Sequence, residues 1–259
     1  MRKTQDIRIA AILGIVGVLA GLSLAPNLLG SMDKLPAELP IPQFPLVLTI
    51  ISLQLGLITF LAGWIGITLA RRSHLQLSIL DAFILRVGRV RWDAKWLAIS
   101  MLCGGLAGLL IIGSDKFVFS GMSQIIKDQP PESSLSSLIV GVLYGGIVEE
   151  VLLRLFLMSL LVCLLGKMFV RDDKIPSWIY IISILMTATI FVLGHLPATS
   201  VLFGELTPML IMRSFLLNGL AGIAFGYLFW KKGIEYSIVS HITAHVSMQI
   251  LFIPLLYGG

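Results

Sequence analysis

Two glutamates and an arginine stand in an apolar run, Gly145-Gly146-Ile147-Val148-Glu149-Glu150-Val151-Leu152-Leu153-Arg154. At the centre of a bilayer each such charge costs about 2.5–3.5 kcal/mol on insertion scales, so the default reading of these groups is functional. On a helix Glu150 and Arg154 are four apart, share a face and can pair. Glu149 is turned about 100° from Glu150 and is left to face something else. An unpaired carboxylate in apolar surroundings is the raw material of a general base. Three of the four histidines also fall at or within apolar runs. His195 ends Phe191-Val192-Leu193-Gly194-His195, and His241 and His245 lie four apart in Ser237-Ile238-Val239-Ser240-His241-Ile242-Thr243-Ala244-His245, on one helix face. His74 sits among basic residues and reads as a solvated bystander.

One glutamate with three histidines supports two chemistries. The first is a metal site. His241-xxx-His245 has the spacing of a helical metal pair, and Glu149, His195, His241 and His245 form a ligand set suited to zinc. Ile242, however, stands where the soluble zinc-protease motif carries its glutamate. The second is metal-free hydrolysis: Glu149, oriented by His195, activates water while His241 and His245 stabilise the oxyanion. Spacing alone leaves both open, and no cofactor is preferred. Two blander readings stand beside them: buried ionisable groups that only hold helices together, and a Glu/His proton pathway of a transporter. A serine-nucleophile motif of the GxSxG type is absent, as is a pair of intramembrane aspartates; Asp115 and Asp128 read as loop residues. Cys103 and Cys163 form no CxxC pair and read as buried bystanders.

The elements that must position these residues are membrane helices. The 259 residues are 57% hydrophobic and 13% charged, far from the balance of a soluble domain. The expected fold is all-α, a polytopic transmembrane bundle of about seven helices over 7–29, 46–70, 96–113, 134–166, 177–195, 208–230 and 235–257. The fourth is too long for one upright span; a break near Gly145-Gly146 would raise the count to eight. The net charge of +5 does not point to nucleic acid, because the basic residues lie between apolar runs. Basic-rich stretches (the N-terminus, 71–95, 167–174, 231–234) alternate with poorer ones, which predicts a multi-pass protein with a cytoplasmic N-terminus. The first apolar run exceeds a usual signal-peptide core and reads as an uncleaved helix. Pro36, Pro40, Pro42 and Pro45 predict an extended first outer loop. Residues 71–95 predict either an amphipathic surface helix or a loop packed on the bundle. Small-residue pairs such as Gly17/Gly21, Gly104/Gly108 and Gly222/Gly226 predict close helix contacts.

Straight spans create a conflict. Glu149 and His195 would lie toward the outer side, but His241 falls only a few residues past the inner turn, about 10–15 Å away in depth at ~1.5 Å per residue. A site requires tilted or broken helices, a sunken 231–235 turn, or a different boundary for the fourth segment.

At these residues the sequence resembles the CPBP family of intramembrane proteases, also called Abi or CAAX-protease-like proteins. Three motifs carry the resemblance, EExxxR at Glu149-Glu150-…-Arg154, FxxxH at Phe191-…-His195, and the histidine pair His241-…-His245, together spanning about 134–257. The resemblance implies an N-terminal helical part (1–133) with a basic cytoplasmic loop and a catalytic helix core (134–259). It implies an intramembrane endopeptidase in a bacterial inner membrane, acting on a membrane-associated peptide or protein substrate. Glu149 would activate water with His195 as its partner, His241 and position 245 would bind the oxyanion, and Glu150 and Arg154 would support the helix. The departure is His245, where the eukaryotic CAAX enzymes have Asn. The family also includes bacteriocin-immunity and regulatory proteins, so a non-catalytic scaffold is the alternative.

Overall fold

The computed structural model describes residues 2–32, 43–84, 90–122, 124–128, 130–171 and 174–258. Among these every regular element is helical: α1 (Arg2–Ser23), α2 (Ala25–Met32), α3 (Phe44–Arg72), α4 (Ser78–Ile84), α5 (Ala94–Met122), α6 (135–169), α7 (Ser177–Phe203), α8 (Pro208–Lys232) and α9 (Ile234–Tyr257). Six stretches are long and apolar enough to cross a membrane, namely Thr4–Leu29, α3, α5, α7, α8 and α9. α6, which carries the charged motif, packs among them against α1, α3 and α9, so the expected count of seven is approximate. Leucines and isoleucines such as Leu53, Leu102 and Ile250 face outward, as lipid requires of a spanning helix.

Helix ends follow local chemistry. Asp93 caps α5 by accepting from the Trp96 amide at 3.3 Å, and Lys232 at 2.8 Å holds its carboxyl below the usual carboxylate range. Thr207 accepts from the Leu210 amide in front of Pro208, which fits the first turn of α8 because that turn needs no proline N–H. α1 packs on α3, α7 on α8 and α9 on α5. Glycines mark two of these close approaches: a Cβ on Gly17 would lie 2.7 Å from the Thr59 hydroxyl, and one on Gly108 would strike Ser247.

Three expected boundaries move. The third segment does not stop at 113 but runs helically to Met122, so Asp115 lies in a helix and not in a loop, and Asp128 likewise ends a short helix, Gln124–Asp128. Its partner, Arg213 of α8, supplies the counter-charge that makes this possible. The fifth segment does not end at His195. It continues through Pro197 to Phe203 and stops at Gly204, whose φ of 84° suits glycine. Pro197 removes one backbone donor, which a membrane helix tolerates where neighbours or side chains compensate. α6 does not break at Gly145-Gly146 either; it stays helical but widens, with π-helical turns over Gly141–Glu149 and Val151–Met158.

His241 does reach Glu149, and the 231–235 turn that precedes it is covered from Gly233 onward by the basic loop. Gly233 (φ 113°) turns the chain beneath α8, and the Ile234 amide meets the Gln76 carbonyl at 3.4 Å. Glu235 accepts from the Ile79 and Leu80 amides at 2.9 and 2.7 Å, so its carboxylate caps α4. The Tyr236 hydroxyl accepts from the Asp93 amide at 2.8 Å. Ile234, Glu235, Tyr236 and Ser237 are consequently buried, and α9 begins inside the bundle. The 71–84 part of the basic loop is thus a packed plug, with Leu75, Leu77 and Ile79 buried, rather than a helix floating on the surface. Arg71 fastens it to the first helix by bonding both Asp6 and Asp81. Arg86 and Arg89 of that loop, and Pro36, Pro40 and Pro42 of the first outer loop, lie outside the described residues.

If Glu235 fastens the start of α9 to this loop, Glu235→Ala should leave two α4 amides without an acceptor. The expected cost is about 1–3 kcal/mol of stability. Hydrogen exchange should quicken at 78–84 first, and exchange unchanged there would show that the cap does not hold the plug.

Candidate active site

The site is built outward from α6. Glu150 and Arg154 are wholly buried, and Arg154 Nη1 lies 2.9 Å from Glu150 Oε1 across one helical turn, as their spacing predicts. The pair is not self-contained, however. Glu150 also accepts from the Ser237 hydroxyl and from His241 Nδ1, the latter at 2.8 Å. Arg154 donates through Nη2 to the Gly222 carbonyl at 3.2 Å. Its guanidinium carbon lies 4.8 Å from the Phe191 ring centre and 5.5 Å from that of Phe225, while among the described residues neither Nε nor Nη1 makes a hydrogen bond, so Nη1 meets Glu150 as an ion pair. Groups from α7 and α8 therefore meet the cation directly, and α9 is linked to it through Glu150.

Glu149 points elsewhere. Among the described residues its carboxylate accepts no hydrogen bond. His195 Nε2 and His241 Nε2 each stand 3.9 Å from it, one at Oε1 and the other at Oε2. Glu149 and His195 open on a space of about 460 Å³ between α6, α7 and α9, lined also by His245 and by mostly apolar residues such as Leu152, Leu153 and Ile190, whereas His241 stands behind it.

The second ring nitrogens settle which atoms face Glu149. His195 Nδ1 is 2.8 Å from the Phe191 carbonyl, which can only accept, so Nδ1 carries the proton. His241 Nδ1 faces the Glu150 carboxylate and is likewise the donor. In neutral rings both Nε2 atoms then present lone pairs toward Glu149. His241 can donate to an oxyanion only as an imidazolium, a condition that the spacing of the residues did not reveal.

His245 takes a different place from the other two. Its ring lies nearly parallel to that of His241, with centres 5.1 Å apart and 17° between planes. It fits against α6 because Gly141 and Gly145 have no side chains. A Cβ on Gly141 would lie 2.6 Å from His245 Nδ1, and one on Gly145 would strike Nε2. Among the described residues no three His, Cys, Asp or Glu side chains stand as a preformed metal-ligand group. Ser237, Phe225 and Tyr144 were not singled out from sequence. Ser237 was legible, being four residues before His241 on the same face. The roles of Phe225 and Tyr144, which contact the site from aromatic positions common in any membrane helix, were not.

Comparison with known proteins agrees with the motif pattern. Residues 131–247, the stretch that holds all three motifs, match a family model described as type II CAAX prenyl endopeptidase Rce1-like. Neither the curated proteins nor the solved structures contain a match.

Arg154→Ala should strand the Glu150 charge in the bundle. The expected cost is about 3–5 kcal/mol, read as lower thermal stability in detergent. Adding Glu150→Gln should recover part of it by removing the bare charge. A double variant less stable than Arg154→Ala would contradict that assignment.

Proposed function

We propose that this multi-pass membrane protein is an intramembrane endopeptidase that uses Glu149 to activate water. The observation that carries this reading is the Glu149 carboxylate facing two imidazole Nε2 atoms at 3.9 Å beside a largely apolar cavity. A gap of that length between two acceptors suits one bridging water, which donates a hydrogen to each. The family whose model matches is one of endopeptidases, which supports the reaction class.

In the proposed reaction Glu149 takes a proton from water as its oxygen adds to the peptide carbonyl carbon. His195, fixed by the Phe191 carbonyl, orients that water. The carbonyl oxygen becomes an oxyanion, and a protonated His241, supported by Glu150, supplies the Nε2–H that meets it. The proton held by Glu149 then passes to the leaving amine as the C–N bond breaks. His245, stacked on His241, would keep that ring in plane or donate in its place. The substrate class is a membrane-associated peptide or protein segment that reaches the cavity from lipid.

Glu149→Gln should lower cleavage of a membrane-anchored reporter peptide by about 10²–10⁴-fold while leaving expression and thermal stability near wild type. Wild-type cleavage by that variant would sink the glutamate mechanism. A scaffold would instead keep its cellular phenotype in Glu149→Gln and lose it in Arg154→Ala. Zinc is tested separately: stoichiometric zinc in the purified protein together with loss of activity under a strong chelator would make Glu149, His195 and His241 ligands. Full activity under the chelator would support the metal-free route.

A further inference from the structure

The cavity beside Glu149 has a neighbour. His195 and Ala198 line both the space of about 460 Å³ and a second of about 480 Å³ formed mainly by α5, α7, α8 and α9. Their chemistry differs. The first is mostly apolar around Glu149, whereas the second gathers Asp115, Glu132, Arg213, Asn218 and Gln249.

Most of these polar groups are already committed. Arg213 holds Asp115 through two N–H groups. Gln249 accepts from the Ser134 amide at 3.1 Å through its side chain and from the Ser133 hydroxyl at 2.7 Å through its carbonyl. Asn218 is not committed. It lies near the middle of α8, lines the second space, and has no hydrogen-bond partner among the described residues. An unpaired amide at mid-span is costly in lipid, so its presence calls for a partner.

Its depth matches the proposed reaction centre. Thr199 of α7 and Ser214 of α8 meet at 3.3 Å. His195 is one turn before Thr199 and Asn218 one turn after Ser214. Because α7 and α8 are consecutive and joined by the short 204–207 turn, they run in opposite directions, and both displacements point the same way. His195 and Asn218 therefore stand at the same level.

We propose that the polar space receives one flank of the substrate peptide and that Asn218 binds that flank's backbone, its N–H₂ donating to a peptide carbonyl and its carbonyl accepting from a peptide N–H. This rests on the peptidase reading and sharpens its substrate class: a chain with an apolar segment on one side of the cleaved bond and an extended, polar segment on the other. An extended backbone carries one unpaired donor and one unpaired acceptor per residue, and a side-chain amide satisfies one of each. Asn218 is then a substrate-positioning residue, distinct from the groups that handle the proton.

The test measures binding in the full-length Glu149→Gln protein, so that it does not depend on turnover. The probe is a labelled peptide with a leucine-rich segment followed by a polar flank, titrated into protein held in lipid nanodiscs. Adding Asn218→Leu should raise Kd about tenfold, the effect of losing about 1.4 kcal/mol of hydrogen bonding, and Asn218→Gln should restore part of the affinity. N-methylation of the flank, one residue at a time, should find a position that weakens binding when Asn218 is present and does nothing further in Asn218→Leu. An unchanged Kd in Asn218→Leu, an equal penalty at every methylated position in both proteins, or no binding to either protein would overturn the proposal. Absence of cleavage by the wild type would count against the peptidase reading alone, since binding is read without it.

Discussion

A bundle that buries an arginine with none of its surface exposed must give that cation substitutes for water, and much of the site's architecture follows from this one demand. Glu150 supplies the counter-charge, the Gly222 carbonyl accepts a hydrogen bond, and the faces of Phe191 and Phe225 cover the guanidinium plane. These groups come from α6, α8 and α7. Satisfying Arg154 therefore fixes the relative rotation of three helices before any chemistry is considered. The fourth, α9, joins because Glu150 has acceptor capacity left over, which Ser237 and His241 fill.

The same network separates two adjacent carboxylates into two roles. Glu150 is saturated with donors and acts as the support of His241. Glu149, one residue earlier, has none among the described residues and faces the cavity with two imidazole edges near it. Supporting groups behind each ring, a carbonyl behind His195 and a carboxylate behind His241, set the tautomers. The carboxylate behind His241 favours an imidazolium more than a carbonyl does. The two rings are thus unequal: a neutral carbonyl backs His195, and a buried carboxylate backs His241.

Much of this was legible in the sequence because it depends on short-range periodicity. The Glu150–Arg154 pair and the freedom of Glu149 follow from helical spacing, and charged residues inside apolar runs are conspicuous. Features that depend on contacts between distant segments were not. Asp115 looks like the end of a span because hydropathy falls there, and only the arrival of Arg213 from α8 shows that it remains in a helix. His195 followed by Pro197 resembles a terminus, yet α7 runs on for two turns. Residue counting exposed the depth conflict between Glu149 and His241 but could not resolve it, since the covered turn relies on Glu235 reaching the amides of Ile79 and Leu80. Gly141 and Gly145 have the same spacing as small-residue pairs elsewhere in the chain, and nothing in that spacing announces that they make room for His245.

The covered turn also explains why the basic loop is packed into the bundle. α9 starts beneath this loop, where its first backbone donors and the acidic Glu235 are buried away from water. The 73–84 segment replaces that water with the Gln76 carbonyl and two amides of α4, and Arg71 ties the segment to Asp6 of the first helix. The helices that carry no catalytic motif therefore have a definite task. They close the bundle beneath α9 and so hold His241 beside Glu149.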